Sequence, residues 1–346
     1  MFEKAHNKKQ DDIIDIFNKY QSLFAEYVDP LIYERQKVRP FLSPEDAQQM
    51  KRYEEISLEN PEENYEIHLK SKIFEGALVK FGKKIFGENI ETIPSTEYDD
   101  WVNKFDMFIT HGDSQIGIDA TLCKDTLNTE RKNGEIFSDI ERLNEKDRGK
   151  EKFHVKYFMP NGKKEAPIEL HGIPRVIIGI HADYLEKMLL EIKNGNSAPF
   201  KLMFLNMIKS QLEDQFIFAL GVNGEKKDKE DKTYKTRVPE PIKRNVREVY
   251  PLCAKAVKSD WNEEKIKDLF ISFEKNKNLF ALKQFSFPEY HQLLSNIQTS
   301  WNWVSSELAN IKKESSPALL NETEVENRLR SHINEDQALK HRPFLA

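Results

Sequence analysis

Apolar positions along the chain alternate between a helical and an extended period, and each change of period marks a new element. Over 11–27, Ile13, Ile16, Phe17, Tyr20, Phe24 and Tyr27 recur at steps of three and four, which lines one face of a helix. Ser43-Pro44-Glu45-Asp46 reads as a helix start. Ser43 can cap it, Pro44 suits the first helical position, and the two acids favour the first turn. A loop is expected over 58–64. Over 65–87 the helical period returns in Phe74, Leu78, Phe81 and Ile85, with Gly87 placed to end the helix.

Two strands are predicted next, near 105–110 and 115–123, joined by a turn at His111-Gly112-Asp113. In the second strand Ile116, Ile118, Ala120 and Leu122 share one face, and Gln115, Gly117, Asp119 and Thr121 share the other. Residues 124–150 are polar, with a short helix expected over Ile136–Leu143. Lys152–Met159 reads as a strand, Pro160–Lys163 as a turn and Pro167–Gly172 as the partner strand. Arg175–His181 is the most apolar strand, which predicts a central place in the sheet with both faces buried. Helices are expected at 183–194 and 199–219, the second apolar nearly all round and therefore internal. After a charge-rich stretch at 223–237, helical spacing resumes in Ile266–Phe273 and in Leu293–Ile311, the latter opened by Ser286-Phe287-Pro288-Glu289. One more short helix is expected at 322–333. The pattern predicts an α/β chain in four parts: an N-terminal helical segment (1–64), an α/β core (65–222), a charged linker (223–239) and a helical C-terminal region (240–346).

Composition narrows the functional classes. Charged residues make up 32% of the 346, and mean hydropathy is -0.69. No apolar run is long enough for a transmembrane helix, so no membrane partner is expected. The first residues lack an apolar signal core, and the two cysteines, Cys123 and Cys253, lie far apart without metal-ligand spacing. Both features fit a cytoplasmic protein in a reducing compartment. A net charge of -5 gives no global attraction for a polyanion, which leaves local patches: the lysines of 70–84, and Lys243, Arg244 and Arg247. Neither a phosphate-cradling Gly-rich loop nor a Gly-x-Ser-x-Gly elbow occurs.

The candidate chemistry sits in the two central strands. Asp106 and Asp119 are carboxylates among apolar neighbours, and an unpaired buried charge is costly. Two acids on adjacent strands, joined by a third acid from a preceding helix, offer the hard oxygen ligands that magnesium or manganese prefers. The plainer alternatives are that Asp119 and Thr121 line the wet face of an edge strand, that Glu75 is a solvated neighbour of Lys72, and that Asp99-Asp100 caps a turn. Trp301 and Trp303 read as core residues.

This order of elements (helix, strand with Asp, strand with Asp, insertion, apolar strand, helix) resembles the PD-(D/E)xK nuclease superfamily over roughly residues 65–220. Asp106 matches the family's first acid, Asp119 its second, and Glu75 its helix acid, with Glu66 the weaker match. Thr121 stands two residues after Asp119 where the family has lysine. Lys124 has the opposite strand parity, and Lys104 and Lys156 are other lysines able to substitute. The resemblance implies a restriction-endonuclease-like mixed sheet flanked by helices. It implies a metal-dependent nuclease acting on DNA rather than RNA, in a defence or mobile-element setting. Glu75, Asp106 and Asp119 would hold magnesium or manganese, with Thr121 or Lys124 near the attacked phosphate. The missing lysine implies the alternative: a catalytically inactive relative that binds nucleic acid, or a protein partner through its helical C-terminal region. A third reading places a metal hydrolase at His181 and Asp183; the simpler one has Asp183 capping the next helix.

Overall fold

The computed structural model describes residues 2–59, 65–123, 127–143, 153–160, 166–219 and 288–314, with short pieces at 226–227, 233–234, 267–268 and 270–271. Lys124, the basic trio at 243–247, the turn over 161–165, most of the charged linker and the 322–333 segment lie outside the described residues.

The amphipathic N-terminal pattern belongs to one long helix, α1 (Phe2–Gln36), which runs past the expected end and through Pro30. It buries Tyr20, Tyr27, Val28 and Leu31. Helix α2 (Pro44–Glu59) starts as its sequence predicts, with the Ser43 hydroxyl accepting from the Asp46 N–H at 3.2 Å. Residues 58 and 59 are helical rather than loop.

The helix expected over 65–87 is two helices, α3 (Tyr65–Lys80) and α4 (Gly82–Phe86). Thr92 explains the break. Its hydroxyl donates to the Val79 carbonyl at 2.7 Å, taking an acceptor that a continuous helix would use. Gly82 admits it, because a Cβ there would lie 2.1 Å from Thr92 Oγ1. Gly76 on α3 plays a similar part toward α1, since a Cβ at that position would come within 2.1 Å of the Tyr27 carbonyl oxygen.

Strands β1 (Glu91–Pro94), β2 (Met107–His111) and β3 (Ser114–Cys123) form an antiparallel meander. Helix α5 (Leu127–Arg142) follows; it begins well before the expected Ile136. A separate antiparallel hairpin, β4 (His154–Phe158) and β5 (Ile168–His171), packs Val155 and Phe158 against Phe105 and Phe108 of the meander. The chain then enters β6 (Arg175–His181), which pairs parallel to β3. The result is a mixed α/β architecture around a four-stranded mixed sheet in the order β1-β2-β3-β6.

That order corrects one expectation and removes one alternative. The very apolar β6 is at an edge, while β3, with Asp119 and Thr121, is internal and buried on both faces. Strand β6 is nonetheless dry. After the turn Ala182–Tyr184 and helix α6 (Leu185–Lys193), helix α7 (Ala198–Ala219) lies along its open edge. Gln211 donates to the Ile177 carbonyl at 2.7 Å and accepts from its N–H at 2.8 Å, and Gln215 donates to the Arg175 carbonyl at 2.7 Å. These amides supply the hydrogen bonds that a further strand would have made.

Helix α7 presents a stripe rather than a wholly buried cylinder. Phe204, Leu205, Ile208, Leu212 and Phe216 are buried, whereas Phe200, Leu202, Met203 and Met207 are half-buried. Against it packs α8 (Pro288–Glu314), whose Leu293, Leu294, Ile297, Trp301 and Val304 are buried. Trp301 donates to Glu213 at 2.9 Å, and its ring stacks on Phe270 at 4.3 Å. Among the described residues, no helix is long and apolar enough to cross a membrane.

Candidate functional site: a buried acidic cluster

The chain enters β2 from a π-helical turn, Asp99–Asn103, and Lys104 takes the left-handed conformation with φ 63°. Phe105 then inserts over Gly117, where a Cβ would lie 2.3 Å from the ring. This sets Asp106. Its N–H donates to the Ile118 carbonyl at 2.8 Å, and extending the β2–β3 register by one pair puts it opposite Asp119. Its carbonyl accepts from Ser95 Oγ at 2.9 Å and from Arg35 Nη2 at 2.7 Å. Its carboxyl Oδ2 accepts from the Ala120 N–H at 2.7 Å.

Around Asp106 gather Glu75 from α3, Asp100 from the turn and Asp119 from β3. Arg35, at the end of α1, reaches three of the four: Asp100 Oδ2 at 2.7 Å, Glu75 Oε2 at 3.2 Å and Asp106 Oδ1 at 3.9 Å. Lys72 lies 3.0 Å from Glu75 Oε2 and 3.9 Å from Asp100 Oδ2. On the far side, Asp119 Oδ2 meets Arg175 Nη2 at 2.9 Å, and Asp119 Oδ1 meets Lys132 Nζ at 2.5 Å.

The charges are unevenly shared. Burial, followed by the negative charge of Glu75 and Asp100, pushes the Asp106 carboxyl well above the usual carboxylate range. Burial also acts on Asp100, but Arg35 and Lys72, together with a hydrogen bond from Asp106, hold it below its ordinary value. Lys72 and Arg35 are both raised: burial opposes their charge, and the surrounding carboxylates outweigh it. The cluster therefore pushes two neighbouring carboxyls in opposite directions, Asp106 up and Asp100 down, an arrangement that collects at functional sites.

Glu75, Asp106 and Asp119 all contribute to this one cluster, and all three are buried. Thr121 is buried one step along the same face of β3 as Asp119. Neither proposed substitute lysine reaches the cluster. Lys104 is exposed, and Lys156 Nζ is bound 2.6 Å from Asp46 Oδ2. The lysine on Asp119 is Lys132, which sequence reasoning missed because it lies in the unpredicted first half of α5. A signal existed: Lys132, Ile136 and Ile140 are spaced by four, so one helix face carries the lysine and the two core residues. Arg35, Lys72 and Arg175 were also missed as members of the site.

The Asp99-Asp100 pair divides. Asp99 is structural: it accepts from Thr96 Oγ1 at 3.0 Å, Asn103 Nδ2 at 2.7 Å, and the Lys156 and Tyr157 N–H groups at 3.0 Å each. Asp100 belongs to the cluster instead. Glu66 is occupied elsewhere, accepting from Tyr20 at 2.9 Å. His181 accepts from the Asp183 N–H at 3.4 Å, and the Asp183 side chain is exposed rather than capping.

No protein family, curated protein or solved structure matches the chain. The site is therefore read from its own chemistry. Its donors are hard carboxylate oxygens of the kind magnesium and manganese prefer, but among the described residues no three acids of the cluster bring ligand atoms within 4.8 Å of one another, so the cluster as it stands does not fit a shared cation. The same oxygens also carry counter-charges from four basic side chains.

Proposed function

We propose that this protein is a metal-dependent nuclease that cleaves phosphodiester bonds in DNA, with Asp106 and Asp119 at the centre of its site. The observation that carries the reading is the placement of Asp106, a buried carboxyl beside Glu75 and Asp100 and set across the strand pair from an aspartate that bears a lysine. The sheet order, with the two acids on its middle strands, supports a restriction-endonuclease-like core. Glu75, Asp106 and Asp119 would hold the cation only once their carboxylates drew together, and it would then supply charge neutralisation at the phosphodiester and an activated water. Lys132 takes the part that Thr121 cannot: its ammonium, fixed on Asp119, faces the reacting phosphate. Arg35 and Lys72 favour the ionised form of Asp100. The defence or mobile-element setting rests on the family resemblance alone.

Nicking of supercoiled plasmid with magnesium or manganese tests this. Wild-type protein is expected to nick, and Asp119→Ala to lose at least ~100-fold of that rate. Equal rates in the two proteins remove Asp119 from the mechanism.

A second reading is favoured by one observation: both Asp119 oxygens, and one oxygen of Glu75, are already engaged by basic side chains. On that reading the cluster is a closed ion-pair network in a catalytically inactive, nucleic-acid-binding protein. Plasmid binding without nicking by wild type would select it.

A further inference from the structure

The β4–β5 hairpin carries a second set of ligating groups, of a different chemical kind. His154 on β4 and His171 on β5 face each other in register, and their rings stack at 4.5 Å with planes 10° apart. Glu169 stands two residues before His171 and so projects from the same strand face. Its Oε2 lies 3.6 Å from His154 Nε2 and 3.8 Å from His171 Nε2. All three ligand atoms lie within 4.8 Å of one another, and no other such group of His, Cys, Asp or Glu occurs among the described residues.

We propose that His154, Glu169 and His171 form a binding site for one divalent transition cation of the zinc class, with the fourth coordination position left to water. Two imidazoles and one carboxylate are a donor set that zinc uses in open sites, and imidazole nitrogen selects zinc, nickel or copper over magnesium and calcium. His154 Nε2 is buried and makes no hydrogen bond, so the set contains a nitrogen whose lone pair or proton is unspent.

The fit needs the three side chains to close on one point and the stacked imidazole rings to tilt toward it. Ligands at about 2.0–2.1 Å from a tetrahedral metal stand roughly 3.4 Å apart. The present separations must close by a few tenths of an ångström at Glu169. That carboxylate and the His171 ring are more than half exposed and can move. The hairpin backbone beneath them is fixed. Asn296 of α8 donates to the His171 carbonyl at 3.0 Å and to the Gly172 carbonyl at 2.8 Å. Gly172, at φ +64°, presses so closely on α8 that a Cβ would lie 2.8 Å from the Leu293 nitrogen. A cation held here would lock both hairpin strands at the point where they dock on the C-terminal helix.

Titrating the full chain, stripped by chelator, with zinc alone in a calorimeter tests the proposal. One zinc per chain is expected to bind at this site and magnesium not to displace it. His171→Ala and Glu169→Gln, both exposed positions, are each expected to weaken binding by at least ~100-fold, the upper end of losses seen for groups that merely support a ligand. Cobalt in place of zinc should give the visible absorption of a low-coordinate site in wild type, lost in His171→Ala. Asp119→Ala should leave zinc affinity unchanged, which keeps this site distinct from the acidic cluster. Unchanged zinc affinity in His171→Ala and Glu169→Gln overturns the proposal, as does loss of zinc binding in Asp119→Ala.

Discussion

Asp99 and Asp106 flank one turn, and both are buried acids, but they are treated in opposite ways. Asp99 is surrounded by donors: two backbone N–H groups from β4, an amide and a hydroxyl. Asp106 receives one N–H, has Arg35 at 3.9 Å and the charge of Lys72 nearby, and otherwise faces Glu75, Asp100 and Asp119. Burial raises the pKa of both. At Asp99 the donors pull it back, whereas at Asp106 the neighbouring charges push it further. Burial alone does not mark a working acid; the groups that face it do. Asp99 joins the turn to the hairpin, and Asp106 is held in readiness for positive charge.

The comparison breaks most visibly on stability. Asp99→Ala leaves several buried donors without an acceptor, which should cost about 3 kcal/mol or more. Urea denaturation reads this directly; a loss under about 1 kcal/mol would mean that Asp99 is not the structural member of the pair.

Lys132 sharpens the functional side. Lys132→Met is expected to reduce plasmid nicking by about 100-fold, close to 2.7 kcal/mol of barrier, while Asp119 keeps its bond to Arg175. Lys156→Met, which removes the Asp46 bond and the ammonium's contacts with the Tyr98 and Tyr157 rings, should leave nicking near wild type. A reversed ranking would return the lysine role to Lys156.

The pH dependence of stability separates two other carboxyls. Because the Asp106 pKa is raised in the folded chain, the folded state holds a proton that the unfolded chain releases. That contribution is full below the unfolded value of about 3.9 and is lost as pH rises through the folded one. Asp46 has the opposite sign. Burial opposes its charge, but Lys156, Tyr157 and Ser43 hold it down at about 2. Its contribution is present above the unfolded value and is lost as pH falls toward about 2. Denaturation series across mildly acid pH should therefore show Asp106→Asn removing a decline toward neutrality and Asp46→Asn removing a decline toward acid.

Local periodicity made much of the sheet legible. The alternation in 115–123 identified β3, and its register with 105–110 follows from the short turn at Gly112, so Asp106 and Asp119 could be paired from sequence. Glu75 was singled out only because it matches the helix acid of the family that the chain resembles, on the helix that precedes the strands. What escaped depends on contacts distant in sequence. Arg35 enters from the end of α1 and Lys132 from α5, and nothing local encodes which basic residue reaches which acid. Strand β6 looked central because apolarity reports dryness, and the side-chain amides of α7 kept an edge strand dry. Helix α3 was overextended because Thr92, which competes for its Val79 carbonyl, lies in β1. His154, Glu169 and His171 were not singled out because only the pairing of β4 with β5 places them on one patch.

Asp106→Asn gives the most direct test of the central claim, because asparagine keeps the shape and the acceptor for the Ala120 N–H while removing the exchangeable proton. Its plasmid-nicking rate with manganese and its urea midpoint should be measured beside those of wild type. Nicking at least ~100-fold slower with a midpoint equal to or above wild type is the predicted result. Nicking at the wild-type rate would contradict the account.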